Sequence, residues 1–146
     1  MRISTRSRYG LRLMLSLASN FQKGYMLLKD VARREGISEK YLSLIVIPLR
    51  KAGLLVSSRG ANGGYRLSKP PSEINLKEII EPLEGDLYVI ECIRGKEICE
   101  KANVCTSHDI WELLGKKIAD FLDTITLEDL LQMQKEKTAG LLEYII

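Results

Sequence analysis

The segment that decides the fold spans residues 28–67 and reads LKDVARREGISEKYLSLIVIPLRKAGLLVSSRGANGGYRL. Its opening residues predict a short helix that stops at Gly36, because glycine readily adopts the left-handed conformation found at helix C-termini. Ser38 is a favourable N-cap for a second helix over residues 39–52, which Gly53 ends. Two helices joined by a three-residue turn predict a helix-turn-helix.

A β-hairpin is predicted directly after these two helices. Residues 54–57 and 65–67 are short strand candidates, and the loop between them contains three glycines and Asn62. These residue types tolerate the positive φ angles that tight hairpin loops require. A hairpin that follows a helix-turn-helix forms the wing of a winged-helix domain.

The flanking regions predict four more helices. Apolar residues recur at helical spacing over residues 9–21, and a capping arrangement of Asn75 with Glu78 opens a helix that continues to residue 83. Residues 106–122 predict a long amphipathic helix, and a last helix is expected over residues 127–137. The predicted fold class is mainly α with a small β-hairpin wing: a winged helix-turn-helix plus a long helix suited to dimerisation.

Composition excludes several classes of protein. The 146 residues are 45% hydrophobic and 28% charged, which is ordinary for a globular protein. No run of residues is long and apolar enough to span a membrane, and arginines interrupt residues 1–15, where a signal peptide needs an apolar core. We therefore expect a cytoplasmic protein with no membrane partner. We do not expect an enzyme, because the sequence has no evident nucleophile-base pair or phosphate-binding loop.

Charge is distributed unevenly along the chain. Residues 1–69 contain 14 Lys or Arg and 3 acids, whereas residues 70–146 contain 8 and 16, so the two halves carry +11 and −8. This asymmetry predicts a lobe that binds a polyanion and a separate acidic lobe. Solvated helix faces are the simpler alternative.

The helix-turn-helix and the wing contain polar side chains suited to contact double-stranded DNA. A recognition helix presents polar groups from its first turns to the major groove, and we assign its other face, with Leu42, Ile45 and Leu49, to the core. Arg59 at the tip of the wing can enter a minor groove. The predicted DNA-binding residues are Ser38, Glu39, Lys40, Tyr41, Ser43, Arg50, Arg59, Gly60, Asn62, Gly63 and Gly64. Further phosphate contacts are predicted for Arg6, Arg8, Lys51 and Arg66, with a solvated surface charge as an equal alternative for each.

A second group of candidate functional residues lies in the acidic half. The three cysteines of the chain, Cys92, Cys99 and Cys105, fall within 14 residues, and its single histidine, His108, follows three residues later. An odd number of cysteines cannot pair completely within one chain, so thiols in a reducing compartment remain available for metal or redox chemistry. Thiolates select zinc, copper(I) or iron-sulfur centres, and this spacing requires a folded loop to bring the ligands together.

Several short motifs resemble a known family. Tyr41-Leu42, residues 49–54, Ser58-Arg59-Gly60 and Gly63-Gly64-Tyr65 are similar to the signature of winged-helix regulators that include the iron-sulfur regulator IscR, the nitric oxide sensor NsrR and the cysteine regulator CymR. The likeness extends nearly end to end and takes in the three-cysteine loop. It is greatest with the IscR-like iron-sulfur cluster regulators.

This resemblance implies a homodimer in which the helix over residues 106–122 crosses its twin. Each recognition helix would then contact half of a pseudo-palindromic operator. The predicted dimerisation residues are Ile110, Trp111, Leu114, Ile118 and Phe121. The wide apolar face of this helix also predicts a partner, and the alternative is a helix buried wholly within one subunit.

The resemblance also implies an iron-sulfur centre. A 2Fe-2S cluster would be held by Cys92, Cys99, Cys105 and His108, since IscR-like proteins have a histidine three residues after their third cysteine. A 4Fe-4S cluster or zinc is the alternative cofactor, and solvent, Glu91 or Asp109 is the alternative fourth ligand. The interval between the first two cysteines is one residue longer than in IscR-like proteins.

We therefore predict a dimeric DNA-binding transcription regulator, acting mainly as a repressor, whose operator binding is gated by a cluster that senses iron or cluster status, redox state or nitric oxide. The alternative is a cluster-free or zinc-containing regulator of the same fold that responds through a protein partner or thiol chemistry. The predicted regions are a winged helix-turn-helix DNA-binding domain over residues 1–84, a cluster-binding loop over 85–105, and the dimerisation helix with a C-terminal helix over 106–146.

Overall fold

The computed structural model describes residues 2–95 and 97–145. Over these residues it contains six α-helices and one two-stranded antiparallel sheet, which confirms the predicted fold class. The helices are α1 (Thr5–Ser19), α2 (Leu28–Glu35), α3 (Glu39–Lys51), α4 (Leu76–Glu84), α5 (Thr106–Thr124) and α6 (Leu127–Ile145). The strands are β1 (Leu55–Ser58) and β2 (Gly64–Leu67), and short 3-10 turns lie at Phe21–Lys23, Pro71–Glu73 and Glu91–Ile93. None of the helices in this part of the chain has the length and apolarity to cross a bilayer.

The hydrophobic core lies around α1, which packs against α3, α4, β2 and the beginning of α6. Each of these elements contributes side chains that are almost completely shielded from solvent, and burial of one such side chain stabilises the fold by about 1.5–3 kcal/mol. The predicted core face of α3 is confirmed. The most deeply buried residues are Leu13, Met14, Leu17, Val31, Leu42, Ile45, Leu49, Leu67, Ile74, Ile79 and Leu127.

Helix α1 begins at Thr5, four residues before the predicted start at residue 9. Its N-cap is Ser4, whose Oγ accepts a hydrogen bond from the backbone N–H of Ser7 at 3.1 Å. The backbone N–H of Ser4 donates to Oε1 of Glu84 at 2.7 Å. Apolar periodicity does not detect this start, because residues 5–8 are all polar. The first turn is fixed by the Ser4 cap and by Glu84, which lies 80 residues away in the sequence.

Helix α6 is longer than predicted, since it runs to Ile145 rather than to residue 137. Its last eight residues are exposed in the chain. Leu, Glu and Ala predominate there, and these residues have high helix propensity. A single Gly140 disfavours the helix by only about 1 kcal/mol, which does not end it.

The wing is attached to the body of the domain by backbone hydrogen bonds. β1 and β2 pair in the predicted hairpin, with Leu55 opposite Leu67 and Ser58 opposite Gly64. The N–H of Met26 donates to the carbonyl of Tyr65 at 2.9 Å, and the N–H of Tyr65 donates to the carbonyl of Met26 at 2.8 Å. Met26, in the segment before α2, therefore forms an isolated antiparallel bridge with Tyr65 of β2.

The junction between α5 and α6 is joined to the beginning of α4. The N–H of Leu76 donates to the carbonyl of Ile125 at 2.9 Å, and the N–H of Leu127 donates to the carbonyl of Ile74 at 2.8 Å. Leu127 is completely buried. The C-terminal end of α5 is consequently fixed to the start of α4.

Candidate nucleic-acid interface and metal centre

Helix α3 exposes a polar surface at its N-terminal end. Ser38 caps the helix, because its Oγ accepts a hydrogen bond from the N–H of Tyr41 at 3.4 Å. Glu39 and Lys40 are exposed beside it, and the exposed Ser43 hydroxyl donates to the carbonyl of Lys40 at 2.6 Å. The side chains predicted to contact bases therefore lie on the accessible side of a helix whose other face is in the core.

Tyr41 belongs to a side-chain network that fixes α3 against α1 and α2. Its ring meets the ring of Tyr9 edge-on, with centroids 5.8 Å apart, and the Arg12 guanidinium lies 5.7 Å from the centre of the Tyr9 ring. Nε of Arg12 pairs with Oε2 of Glu35 at 3.1 Å, and Glu35 also accepts the Ser16 hydroxyl. This network holds the orientation of the recognition helix. Sequence patterning missed it, because its members are distant in sequence.

The tip of the wing presents Arg59, Gly60 and Asn62 to solvent. Gly63, which was also predicted to approach DNA, is buried at the base of the loop. A β-carbon on Gly63 would lie 2.4 Å from the carbonyl oxygen of Ser58. The shape of the hairpin is thus a sufficient reason for glycine at this position.

Basic side chains continue beyond the tip of the wing and the start of α3. Arg50 and Lys51 are exposed at the C-terminal end of α3. The guanidinium of Arg66 lies 5.0 Å from the centre of the Tyr25 ring, which is a cation-π contact. Arg8 donates to the Thr5 hydroxyl at 3.1 Å. Arg66 and Arg8 are therefore oriented by neighbouring side chains.

Glu84 links the end of α4, where the cysteine segment begins, to the start of α1. Burial raises the pKa of Glu84. Hydrogen bonds from Ser7 and Ser4 and the positive charge of Arg6 lower it by a larger amount, so the pKa lies below its ordinary value of 4.5. The carboxylate is therefore ionised at neutral pH. It accepts the N–H of Ser4, which would otherwise lack a partner at the helix N-terminus.

The cysteine segment is folded against α5. Cys92 lies in the 3-10 turn at Glu91–Ile93, and the next residue, Ile93, is buried opposite Gly115 of α5. Cys105 is the N-cap residue of α5, and its side chain makes no capping hydrogen bond. Cys92, Cys99 and Cys105 are all half-buried and none forms a disulfide within the described residues. All three thiols are consequently available as metal ligands.

His108 is buried in the first turn of α5, with 7% of its surface exposed. Neither Nδ1 nor Nε2 has a hydrogen-bond partner within the described residues. Oδ1 of Asp109 lies 3.7 Å from Nδ1, which is too long for a hydrogen bond. Leaving a buried polar atom unpaired costs about 1–3 kcal/mol. The imidazole is therefore suited to a ligand that the chain itself does not supply, which fits the predicted role of His108 at a metal centre.

The structure brings together a trio of potential ligands that differs from the predicted set. Within residues 2–95 and 97–145, the ligand atoms of His108, Asp109 and Glu112 all lie within 4.8 Å of one another, and the cysteines are not part of such a trio. Glu112 was not predicted as a site residue. Its spacing of four residues from His108 on an amphipathic helix is the signal that could have identified it.

Exposed polar groups on α3 and a basic wing attached to a rigid core define a winged-helix transcription regulator. Solved structures support this class. CymR, the global cysteine regulator of B. subtilis, is similar with a TM-score of 0.75 and 38% identity, over 91% of this chain and 98% of CymR. T. potens IscR is similar with a TM-score of 0.76 and 38% identity, over 94% of this chain and 90% of IscR.

Sequence comparison then gives the family. The Rrf2 model, described as an iron-dependent transcriptional regulator, matches residues 3–133. The HTH-type transcriptional regulator IscR of Aliivibrio salmonicida is 38% identical over 131 residues, which are 90% of this chain and 77% of the relative. Protein rrf2 of Nitratidesulfovibrio vulgaris is 37% identical over 132 residues, which are 90% of this chain and 88% of the relative. The chain belongs to the Rrf2 family and is a DNA-binding transcription regulator, not an enzyme.

Proposed function

We propose that this chain is a dimeric regulator, acting mainly as a repressor, whose binding to a pseudo-palindromic operator is gated by a 2Fe-2S cluster. The ligands would be Cys92, Cys99, Cys105 and His108. The observation that carries this proposal is the buried imidazole of His108, which lies one helical turn after Cys105. Its two nitrogens lack hydrogen-bond partners in the part of the chain that the structure describes. The similarity of this chain to relatives named IscR supports the same cofactor.

The donor set fits an iron-sulfur cluster. Such a cluster supplies a redox-active centre that is sensitive to its ligands, and an imidazole in place of a thiolate raises its potential. The chain would contribute three thiolates from a segment whose central residue, Cys99, is half-buried. Two of the four ligands share one turn of helix, since the N–H of His108 donates to the carbonyl of Cys105 at 3.0 Å.

Gating would act through the start of α5. Cys105 is the N-cap of this helix, so engaging or releasing its thiolate together with His108 orders or frees the first turn. The other end of α5 is hydrogen-bonded to the domain that carries α3 and the wing. A change of tenfold in operator affinity needs a coupling free energy of only about 1.4 kcal/mol.

The exposed face of α5 supports a dimer. Of its 19 residues, only His108 and Gly115 are buried in the single chain. Ile110 is 55% exposed, Leu114 37% and Phe121 61%, and a contiguous exposed apolar face of this kind on one helix marks an interaction surface. This argues against the alternative that α5 is buried within one subunit. A two-fold dimer through α5 would place two recognition helices on one side of a duplex, about 34 Å apart.

The basic half supports the DNA partner. The polar N-terminal end of α3 would enter the major groove, and Arg59 would contact the adjacent minor groove. Arg50 and Lys51 would contact phosphates. The affinity should then fall steeply with salt, with a slope of about −0.9 in log K against log salt for each phosphate neutralised.

The decisive test is the metal content of the anaerobically purified protein. Wild type should contain about two irons and two acid-labile sulfides per chain. His108→Ala should show altered visible and Mössbauer spectra and should lose the difference in operator affinity between loaded and cluster-free protein. Asn103→Ala is the matched control, because Asn103 is exposed in the same segment. Zinc or no metal in wild type would contradict the proposal and favour the cluster-free or zinc-containing alternative. Four irons and four sulfides would contradict the 2Fe-2S assignment alone.

A further inference from the structure

The first two turns of α5 contain a second possible metal site. The ligand atoms of His108, Asp109 and Glu112 lie within 4.8 Å of one another. His108 and Glu112 are four residues apart and thus share one face of the helix. Oδ1 of Asp109 lies 3.7 Å from Nδ1 of His108.

The burial of the three residues is unequal in a way that suits metal binding. His108 is buried, and neither ring nitrogen has a partner among residues 2–95 and 97–145, so one of them is available to a ligand that enters from outside the chain. Asp109 and Glu112 are exposed. Glu112 also lines a cavity of about 740 Å³ between α4 and α5. Two exposed carboxylates beside a buried imidazole that lacks a hydrogen-bond partner among the described residues distinguish this trio from an acidic surface cluster.

We propose that His108, Asp109 and Glu112 bind a divalent first-row transition-metal ion, with Zn²⁺ as the representative, when the chain carries no cluster. One imidazole and two carboxylates are ligands that Zn²⁺ accepts at about 2.0–2.2 Å, and water completes the coordination. Hard cations such as Mg²⁺ prefer oxygen ligands alone. Because both acids are exposed, their side chains can rotate to coordination distance without displacing packed neighbours.

This site uses none of the cysteines and shares only His108 with the proposed cluster. An ion held by His108 and the two acids therefore withholds the fourth ligand from the cluster. This competition rests on the proposed function, whereas the ion site itself does not. The consequence is that divalent metal would slow cluster assembly on the apo-protein.

The experiment uses the full chain with Cys92→Ser, Cys99→Ser and Cys105→Ser, which removes the thiolates and keeps the trio. Calorimetric titration with Zn²⁺ should show one site per chain, and Mg²⁺ at the same concentrations should give no binding heat. His108 is the only histidine of the chain, so its ring ¹⁵N signals report on this single residue. Zn²⁺ should shift them. Adding Asp109→Asn with Glu112→Gln should weaken binding at least about tenfold and abolish the shift, whereas Asp120→Asn, an exposed acid of the same helix, should change neither.

Two results would overturn the ion site: no Zn²⁺ binding by the triple serine variant, or binding that survives the loss of both acids. A separate measurement on the cysteine-containing chain distinguishes this proposal from the proposed function. Glu112→Gln should retain the wild-type iron and sulfide content, and its cluster reconstitution should be less sensitive to added Zn²⁺ than that of wild type, with the remaining inhibition due to Zn²⁺ on the cysteines. Reconstitution of Glu112→Gln that Zn²⁺ inhibits as strongly as wild type would refute the competition. An absent cluster beside an intact Zn²⁺ site would refute only the proposed function.

Discussion

Replacing Gly64 by alanine is expected to detach the wing from the body of the domain. Gly64 has a φ of +130°, and a β-carbon there would lie 2.3 Å from the carbonyl oxygen of Met26. The obstructing atom belongs to the backbone, so no side-chain rotation relieves the contact. The two hydrogen bonds between Met26 and Tyr65, at 2.9 and 2.8 Å, must therefore lengthen or break.

The magnitude follows from these two effects. A non-glycine residue held at such a φ costs about 1–3 kcal/mol. Each backbone hydrogen bond contributes a net of about 0.5–1.5 kcal/mol. The loss in free energy of unfolding should then be about 2–6 kcal/mol, a large share of the roughly 5–15 kcal/mol that stabilises a typical domain. Operator affinity should fall as well, because Arg59 is carried by the detached hairpin.

Urea unfolding measured by circular dichroism tests this expectation, with Gly24→Ala as the matched control. Gly24 also has positive φ, +92°, but a β-carbon there meets nothing within 4 Å. This control isolates the conformational cost of about 1–3 kcal/mol. Gly64→Ala should be less stable than Gly24→Ala by roughly the value of the broken hydrogen bonds, about 1–3 kcal/mol. Equal losses in the two variants would refute the steric argument.

Three further predictions concern other parts of the chain. Because the pKa of Glu84 is lowered in the folded protein, its contribution to stability is complete above pH 4.5, the ordinary pKa, and is lost as the pH falls through the lower folded value. In a plot of the urea midpoint against pH, Glu84→Gln should therefore show a smaller decline at acid pH than wild type. Unchanged acid sensitivity would contradict this. If the proposed dimer forms through α5, Leu114→Glu should give monomers in sedimentation experiments, whereas Lys117→Glu, an exposed control on the same helix, should not; a dimeric Leu114→Glu would place the interface elsewhere. Arg59→Ala should weaken operator binding by about 1–3 kcal/mol in a salt-dependent way, and Arg33→Ala, which changes an exposed arginine of α2, should have little effect in the same titration. Equal losses of operator affinity in Arg59→Ala and Arg33→Ala would contradict the proposed contact between the wing and DNA.

The winged helix-turn-helix was predictable because its signals are local. Gly36 and Ser38 mark the turn between α2 and α3, and the glycine-rich loop marks the hairpin. The capping box of Asn75 with Glu78 was likewise visible in the sequence and is present in the structure. In each case, residues within a few positions of one another determine the element.

The parts that the sequence did not predict depend on contacts between distant residues. The pairing of Arg12 with Glu35 joins α1 to α2, and the bridge from Met26 to Tyr65 joins the wing to the segment before α2. Neither hydrophobic periodicity nor helix-capping residues predict pairs of residues that are this far apart in the sequence. His108 was predicted as a candidate ligand from its position after the three cysteines. Glu112 was not predicted, because an exposed acid is ordinary on an amphipathic helix.

The hydrogen bonds between the α5–α6 junction and the start of α4 give α5 a mechanical property. A helix of 19 residues is about 28 Å long, and this one is hydrogen-bonded to the start of α4 next to its C-terminal end, at Ile125, whereas Cys105 lies at its opposite end. Rotation of α5 by about 5° about Ile125 would move the Cys105 end by roughly 2.5 Å, since the rise is about 1.5 Å per residue. Conversely, a small displacement of the Cys105 end would be accompanied by a small rotation of α5 relative to the part of the chain that contains α3. Under the proposed gating, such a rotation would change operator contacts without refolding the part of the chain that contains α3 and the wing.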